Sequence, residues 1–142
     1  MKPLLLIVLL LTFSNKIIAQ KDSLKMHAAI VGFFNGLSVL DADTLRYYAT
    51  PDFQLLEEGE VWNMDTLISK VMPAKYLKRE RINTFHFIRT EQAGNMAWVS
   101  YHNTAFFTQG EKQQTVRWME SVVLVKDKNR WRIQMMHSTR MK

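Results

Sequence analysis

The sequence predicts an α+β fold in which three helices precede an antiparallel sheet. In the first part of the chain, apolar residues recur every three or four positions, as they do on the buried face of a helix. Beyond about residue 80 the apolar period changes to two, which is typical of β-strands. The segments between the predicted strands are short enough for neighbouring strands to run antiparallel.

The three predicted helices are recognised by their apolar spacing and their capping residues. The first helix has a stripe of inward-facing side chains: Met26, Ala29, Ile30, Phe33, Phe34, Leu37 and Leu40. Asp41 or Asp43 can cap a second, short helix, which ends before Pro51. Asn63 caps a third helix over residues 64–72.

The predicted sheet contains one short strand and four long ones. The short strand covers residues 53–56, and the long ones cover residues 81–92, 96–108, 113–126 and 131–139. Between residues 118 and 125 both alternating sets of side chains are largely apolar, so both faces of this strand must be buried. Because helices can cover only one face, we expect a homodimer in which a second subunit covers the outer sheet face.

Residues 1–19 have the features of a secretory signal peptide. Lys2 supplies a positive charge, residues 4–13 are nearly all aliphatic, and Ala19-Gln20 is a plausible cleavage site. We therefore expect a single domain over residues 20–142 in a periplasmic or secreted protein. An uncleaved membrane anchor is the alternative, but the apolar run is shorter than the roughly 20 residues of a spanning helix.

Charge and motifs exclude several classes of function. The formal net charge is +6, but the positive residues are mostly dispersed, so we expect no nucleic-acid partner and no stable membrane anchor. The densest positive stretch, residues 75–81, is interpreted as a solvated connection, with an anion or membrane-surface site as the alternative. The absence of cysteine excludes a disulfide, a thiol nucleophile and a cysteine zinc site. No phosphate-binding or dinucleotide motif occurs, and we expect no cofactor.

The order of these elements resembles the nuclear-transport-factor-2-like superfamily, in its SnoaL-like and ketosteroid-isomerase-like branch. The resemblance lies in the end of the first helix at residues 40–43, residues 45–53, residues 118–124 and residues 131–138. It covers essentially the whole mature chain. It implies a cone-shaped domain in which N-terminal helices pack on a strongly curved mixed or antiparallel sheet and leave an apolar cavity. Members include isomerases, cyclases, dehydratases and binding domains, so the fold does not decide the function.

The resemblance also implies positions for the isomerase residues of this superfamily. Those members use a tyrosine on the first helix, a carboxylate base on the first strand and a protonated acid on the late sheet. Counted from Asp41, the base position is Glu57, the tyrosine position is Phe33 and the second acid falls near Ser121. Phe33 has no hydroxyl, and Glu120 beside Ser121 is expected to point to the opposite face. We therefore expect no steroid-isomerase activity.

Glu120 and His137 are the candidates for acid–base catalysis. Strand alternation puts Glu120 on one face with Trp118, and His137 on one face with Trp131. If these two faces are the same, both groups point into the apolar cone and perturb each other's pKa. The alternatives are a buried structural pair, or a strand parity that separates the two side chains.

Further residues are candidates for binding a ligand: Tyr48, Glu57, Trp98, Trp118, Trp131 and Arg140. Aromatic side chains with a polar edge suit a cavity for an amphipathic molecule, although each could equally belong to the core. Arg140 could attract a carboxylate at the cavity mouth, or it could be a solvated terminal residue. His86 and His102 lie on separate strands without a ligand motif, so we expect no metal.

These observations favour a binding domain that holds a small, partly apolar molecule. The alternatives are a lyase or isomerase that uses Glu120 and His137 as acid and base, and a dimeric protein-interaction module. No complete catalytic set can be assembled from the sequence, and the ligand is not named by it.

Overall fold

The computed structural model describes residues 22–142. The predicted signal peptide lies outside the described residues. Among residues 22–142, none of the helices combines the length and the apolar character that a membrane crossing requires.

Three α-helices precede the main part of the sheet, as predicted. Helix α1 covers residues 22–39, α2 is Ala42–Tyr48 and α3 is Met64–Val71, which continues into a 3₁₀-helix over Met72–Leu77. Side-chain oxygens cap two of them. Asp41 accepts from the Asp43 amide at 3.2 Å, and Asn63 accepts from the Thr66 amide at 2.8 Å.

Helix α1 ends one residue earlier than its apolar stripe suggests. Leu40 has a φ of 55°, and the amide of Asp41 donates to the carbonyl of Gly36 at 2.9 Å. This is the geometry of a left-handed helix end, which satisfies a terminal carbonyl. Leu40 is therefore a half-buried turn residue, whereas the other stripe residues are buried as predicted.

The sheet has six strands and is mixed. The strands are β1 Ala49–Glu57, β2 Glu60–Trp62, β3 Glu80–Ala93, β4 Met96–Gln109, β5 Lys112–Asp127 and β6 Arg130–Arg140. Their spatial order is β2-β1-β6-β5-β4-β3, with β1 parallel to β6 and the other neighbours antiparallel. The first strand is longer than the predicted residues 53–56, and the short strand β2 that follows it was not predicted.

The helices pack on one face of the curved, open sheet, which we call the inner face. Phe34 of α1 contacts Phe85 of β3 and Tyr101 of β4, with ring centroids 5.3 Å and 6.4 Å away. The inner side chains of β4 and β5 complete this core, and the opposite, outer face of the sheet carries no helix of the described chain. The predicted α+β class and the curved sheet are confirmed.

Strand β6 contains a bulge that changes its alternation. Ile133 pairs with Leu124, but Met135 pairs with Val123, so Gln134 is an extra residue relative to β5. The Gln134 amide donates to the Asp52 carboxylate of β1 at 3.0 Å. Beyond the bulge, the odd-numbered residues of β6 face outward and the even-numbered ones face inward.

Candidate functional site

A row of polar side chains crosses the inner face of the sheet. Glu57 of β1 pairs with Ser138 of β6, Ser138 pairs with Glu120 of β5, and Glu120 pairs with Tyr101 of β4. Directly paired residues project from the same face of a sheet. The register of four strands therefore gathers two carboxyl groups, one on each side of a serine.

Glu120 is the most deeply buried carboxyl group at this site, with 5% of its surface exposed. Ser138 Oγ donates to Glu120 Oε1 at 3.1 Å, and Asn103 Nδ2 donates to Oε2 at 3.3 Å. Burial raises the pKa of Glu120 to about 7, while its polar neighbours and the charge of Arg81 oppose that rise. Near neutral pH the group can therefore either donate or accept a proton.

Tyr101 lies behind Glu120 and is fully buried. Burial, followed by the negative charge of Glu120, raises the pKa of Tyr101 well above its usual value, so the phenol stays protonated. Its hydroxyl is near enough to stabilise the Glu120 carboxylate, but it meets no described acceptor with good hydrogen-bond geometry. The phenol is a protonated donor beside a titratable carboxyl.

Glu57 is the second carboxyl group of the row and is half-buried. Burial raises the pKa of Glu57, and the neighbouring Ser138 hydroxyl opposes that rise. Ser138 lies between the two carboxyl groups in the strand register and donates its hydroxyl proton to Glu120. Glu57 is less buried than Glu120, so the arrangement separates an ionisable base from a group that retains its proton more readily.

Arg81 of β3 is connected to Glu120 through two asparagines. Arg81 Nε donates to Asn83 Oδ1 at 2.9 Å, and Asn83 Nδ2 donates to Asn103 Oδ1 at 2.7 Å. Asn103 in turn donates to Glu120, and Ser38 of α1 also donates to Asn83 Oδ1, at 3.2 Å. Every member of this chain is oriented by its neighbour, so the network fixes the position of the Glu120 carboxyl.

These groups line a cavity of about 170 Å³ between the helices and the sheet. Its apolar walls come from α1, α3 and four strands: Phe33, Phe34, Leu37, Leu55, Trp62, Leu67, Val71, Trp118 and Met136. Its polar lining is Glu57, Arg81, Glu120 and Ser138. A second hollow of about 140 Å³ shares Leu37, Val71 and Arg81 with it. Mostly apolar walls with a few convergent polar groups are typical of small-molecule sites.

Three of the predicted site residues line this cavity: Glu57, Trp118 and Glu120. Trp131 is buried on the inner face and belongs to the core. Tyr48 packs against Gly32 and lines a separate surface hollow. Arg140 is exposed at the end of β6, outside the cavity lining.

The prediction that Glu120 and His137 face each other is wrong. His137 pairs with Ser121 and is exposed on the outer face, whereas Glu120 faces inward opposite Ser138. The bulge at Gln134 is the cause, because it separates His137 from the face that carries Trp131. The expectation that Glu120 points to the face opposite the isomerase acid is also wrong. Glu120 faces inward, and Ser121, at the position counted for that acid, faces outward.

The expectation that Trp98 lines the cavity is also wrong. Trp98 pairs with Val123 on the outer face and is 41% exposed. Its neighbours on β4, Ala97 and Val99, are the inward residues and are buried. The aromatic ring with its polar edge favoured a position in the cavity, but strand alternation places it outside.

Several residues of the site were not predicted: Arg81, Asn83, Asn103 and Ser138. A signal for them is present in the alternation of β3 and β4. Arg81 and Asn83 have the same parity as Phe85, and Asn103 has the same parity as Tyr101. Polar residues on an otherwise apolar strand face are the pattern to be expected of a cavity lining.

The described residues contain no group of three or more His, Cys, Asp or Glu side chains able to hold a metal ion. His86 and His102 stack on the outer face with ring centroids 6.1 Å apart, away from the cavity. The side chains that line the cavity supply carboxyl, hydroxyl and guanidinium groups.

Comparisons with known proteins agree with the architecture. A family profile described as a SnoaL-like domain matches residues 27–141. A conserved protein from Planctomyces limnophilus is similar in structure, with a TM-score of 0.76 and 12% identity over 86% of this chain and 99% of that chain. A ketosteroid isomerase-like protein from Erwinia carotovora atroseptica has a TM-score of 0.67 and 14% identity over 83% and 95% of the two chains.

A third similar structure is the CamKII hub homology domain of Chlamydomonas reinhardtii. Its TM-score is 0.75, with 17% identity over 85% of this chain and 99% of that chain. A search of curated proteins finds no match. At these identities, the structural neighbours indicate a shared fold and leave the chemistry to be argued from the cavity.

Proposed function

We propose that this chain binds a small, partly apolar molecule in the inner cavity, because it belongs to the SnoaL-like domain family of the nuclear-transport-factor-2-like superfamily. The observation that carries this proposal is the cavity itself, in which buried polar groups converge between apolar walls. The network from Arg81 to Glu120 is already formed inside the chain, so its members need little reorganisation on binding.

The volume of the cavity restricts the size of its ligand. Cavities of about 300–1,000 Å³ hold drug-sized molecules. The inner cavity, at about 170 Å³, and its neighbour, at about 140 Å³, together reach only the lower end of that range. We expect a compact metabolite with one polar end toward Glu120 and an apolar body against Phe34 and Val71.

A matched pair of substitutions tests this function. Val71→Phe places a larger side chain at the cavity wall, and Val61→Phe makes the same change on the exposed strand β2. We expect native mass spectrometry and thermal shift with a library of small acids, alcohols and ketones to find a ligand for the wild type. The Val71→Phe variant should lose it and the Val61→Phe variant should keep it. Equal binding by all three proteins would refute the cavity as the site.

A catalytic role is the second candidate, and the paired carboxyl groups favour it. With Glu120 protonated and Glu57 ionised, Glu57 can accept a proton from carbon while Glu120 donates a hydrogen bond to the oxygen that becomes negative. This is the chemistry of an isomerase or lyase, with Glu57 in the acid–base role that the sequence predicted for His137. Ser138 lies between the two groups in the strand register and donates a hydrogen bond to Glu120.

Proton exchange distinguishes catalysis from binding alone. A ligand that is activated at carbon should exchange that hydrogen for deuterium in heavy water, which proton NMR detects as a loss of signal. Glu57→Gln should abolish the exchange, since an amide is not a base, whereas Glu111→Gln in the exposed β4–β5 turn should not. Binding without exchange would leave a binding domain as the function.

Export and self-association complete the proposal. The pattern of residues 1–19 supports secretion to the periplasm or the medium, and N-terminal sequencing of the mature protein should begin near Gln20. Large apolar side chains on the outer sheet face support a homodimer: Ile82, Met96, Trp98, Phe106 and Met119 are each at least two-fifths exposed. A second copy of the same face is the natural cover for this surface.

A further inference from the structure

Arg81 is a partly buried cation that no carboxylate of the described chain neutralises by direct contact. The nearest acidic groups attract it at longer range, but the ion pairs among residues 22–142 do not include Arg81. Its one hydrogen bond within the described chain runs from Nε to Asn83. The two terminal nitrogens, which carry four of the five N–H groups of a guanidinium, have no described acceptor.

The surroundings of Arg81 hold its guanidinium in one place. The guanidinium carbon lies 5.7 Å from the Phe34 ring, 5.3 Å from the Phe107 ring and 5.7 Å from the Trp118 ring. Aromatic faces attract a cation, but they do not accept hydrogen bonds as an oxygen does, so the terminal N–H groups stay available to a ligand. Burial lowers the pKa of Arg81 to about 10, so the group remains charged at neutral pH.

Arg81 lines both the inner cavity and the adjoining hollow, so its side chain lies between the two volumes. The adjoining hollow is further lined by Lys70 and Arg79. Lys70 is paired with Glu60 at 3.2 Å, and Arg79 donates to Gln114 at 2.8 Å. With Glu120 protonated, the combined lining has more positive than negative charge, which favours an anion.

We propose that the ligand carries a carboxylate, which the two terminal nitrogens of Arg81 bind end-on as a pair. This inference rests on the proposed binding function and names its substrate class. A carboxylate is planar and matches the two parallel N–H groups of a guanidinium edge. Its single negative charge pairs with the charge of Arg81, and its apolar body extends along Phe34 and Val71 into the cavity.

The experiment compares acids with their neutral amides. Benzoate, phenylacetate and hexanoate are titrated beside the corresponding primary amides by isothermal calorimetry, against the wild type, Arg81→Gln, Arg81→Lys and Arg117→Gln. Arg117 is an exposed cation of β5 on the outer face and serves as the matched control. The amides have nearly the same shape as the acids but carry no charge, so the ratio of the two affinities isolates the charge contribution.

We expect at least one acid to bind the wild type about tenfold or more tightly than its amide, because a charge-assisted bidentate pair is strong. Arg81→Gln should remove this preference, and Arg117→Gln should retain it. If Arg81→Gln does not fold, Arg81→Lys provides the test, because lysine keeps the charge but lacks the paired N–H groups. In this variant the affinity for the acid should fall by about fivefold or more, and the affinity for the amide should not change.

Three results would overturn the inference. Amides that bind as tightly as acids would refute the carboxylate and leave the binding function standing. An equal loss of acid affinity in Arg117→Gln and Arg81→Gln would show that the preference for acids comes from general surface charge and not from Arg81. Failure of every acid and every amide to bind the wild type, together with an empty result from the wider library, would overturn the binding function as well.

Discussion

At the scale of single residues, Glu120 couples the stability of the fold to pH. Its pKa is about 7 in the folded chain and near 4.5 for an ordinary glutamate, so the folded state holds the proton more tightly. A raised carboxyl pKa contributes stability that is complete below the unfolded value and is lost as the pH rises toward the folded value. The loss should therefore occur between about pH 4.5 and pH 7 and then level off.

Glu120→Gln should remove this pH dependence, because the amide cannot ionise and can still hydrogen-bond to Ser138 and Asn103. At about 1.4 kcal/mol for each pH unit between the two pKa values, the wild type should lose about 3 kcal/mol from about pH 4.5 to pH 8 relative to the variant. Urea unfolding at several pH values measures the difference. Glu111→Gln, an exposed control, should follow the wild type, and parallel curves for wild type and Glu120→Gln would contradict the burial of a titratable group.

At the scale of helices and strands, the contact between α1 and α2 is set by Gly36. A Cβ added there would lie 2.7 Å from Thr44 Cγ2 and 3.3 Å from the backbone nitrogen of Leu45. Alanine normally stabilises a helix interior by about 1 kcal/mol relative to glycine, but overpacking costs about 1–3 kcal/mol. Because part of the obstacle is backbone, we expect Gly36→Ala to lower the free energy of unfolding.

The partner substitution Thr44→Ser separates crowding from other effects. Serine keeps the hydroxyl that donates to Asp41 and removes the methyl group nearest to the new Cβ. In urea unfolding, Gly36→Ala combined with Thr44→Ser should therefore recover part of the stability lost by Gly36→Ala alone. A stabilising effect of Gly36→Ala by itself would show that the two helices move apart freely.

Helices and strands could be predicted because their signals are local. The stripe from Met26 to Leu37 and the alternation in β4 indicate that one face is buried, and this can be seen without knowing which element covers that face. The parity of β6 could not be read in the same way. In the sequence, Trp131, Ile133 and His137 continue one regular alternation, and the extra residue at Gln134 is apparent only from its pairing with β5 and its contact with Asp52.

The candidate site could be predicted only in part, because its members come from distant segments. Trp118 and Glu120 were identified from their residue types and strand positions, and Glu57 from the family resemblance. Arg81 was interpreted as part of a solvated positive stretch, since Phe34 and Trp118, which enclose it, lie far away in the sequence. Burial of a charged group depends on which elements meet around it, and local composition does not contain that information.

At the scale of the whole molecule, the two faces of one sheet have different roles. The cavity lies on the inner face and is built by the residues of a single chain, whereas the apolar surface proposed for dimerisation lies on the outer face. Outer and inner residues alternate along the same strands, so Met119 and Glu120 are neighbours in sequence but point in opposite directions. Association and ligand binding should therefore be separable by substitution.

Met119→Glu is the substitution that separates them. Met119 is 51% exposed on the outer face, and a glutamate there would have to be buried without a partner in a face-to-face dimer, which disfavours association. We expect sedimentation equilibrium to give a dimer for the wild type at micromolar concentration, and a dissociation constant at least about tenfold higher for Met119→Glu.

Val39→Glu makes the same change at an exposed apolar residue at the end of α1, and should leave the dimer intact. The affinity for a bound acid should be the same in all three proteins, because no cavity residue is altered. A wild type that remains monomeric at high micromolar concentration would contradict the dimer, and a joint loss of dimer and ligand would show that the cavity needs the second subunit.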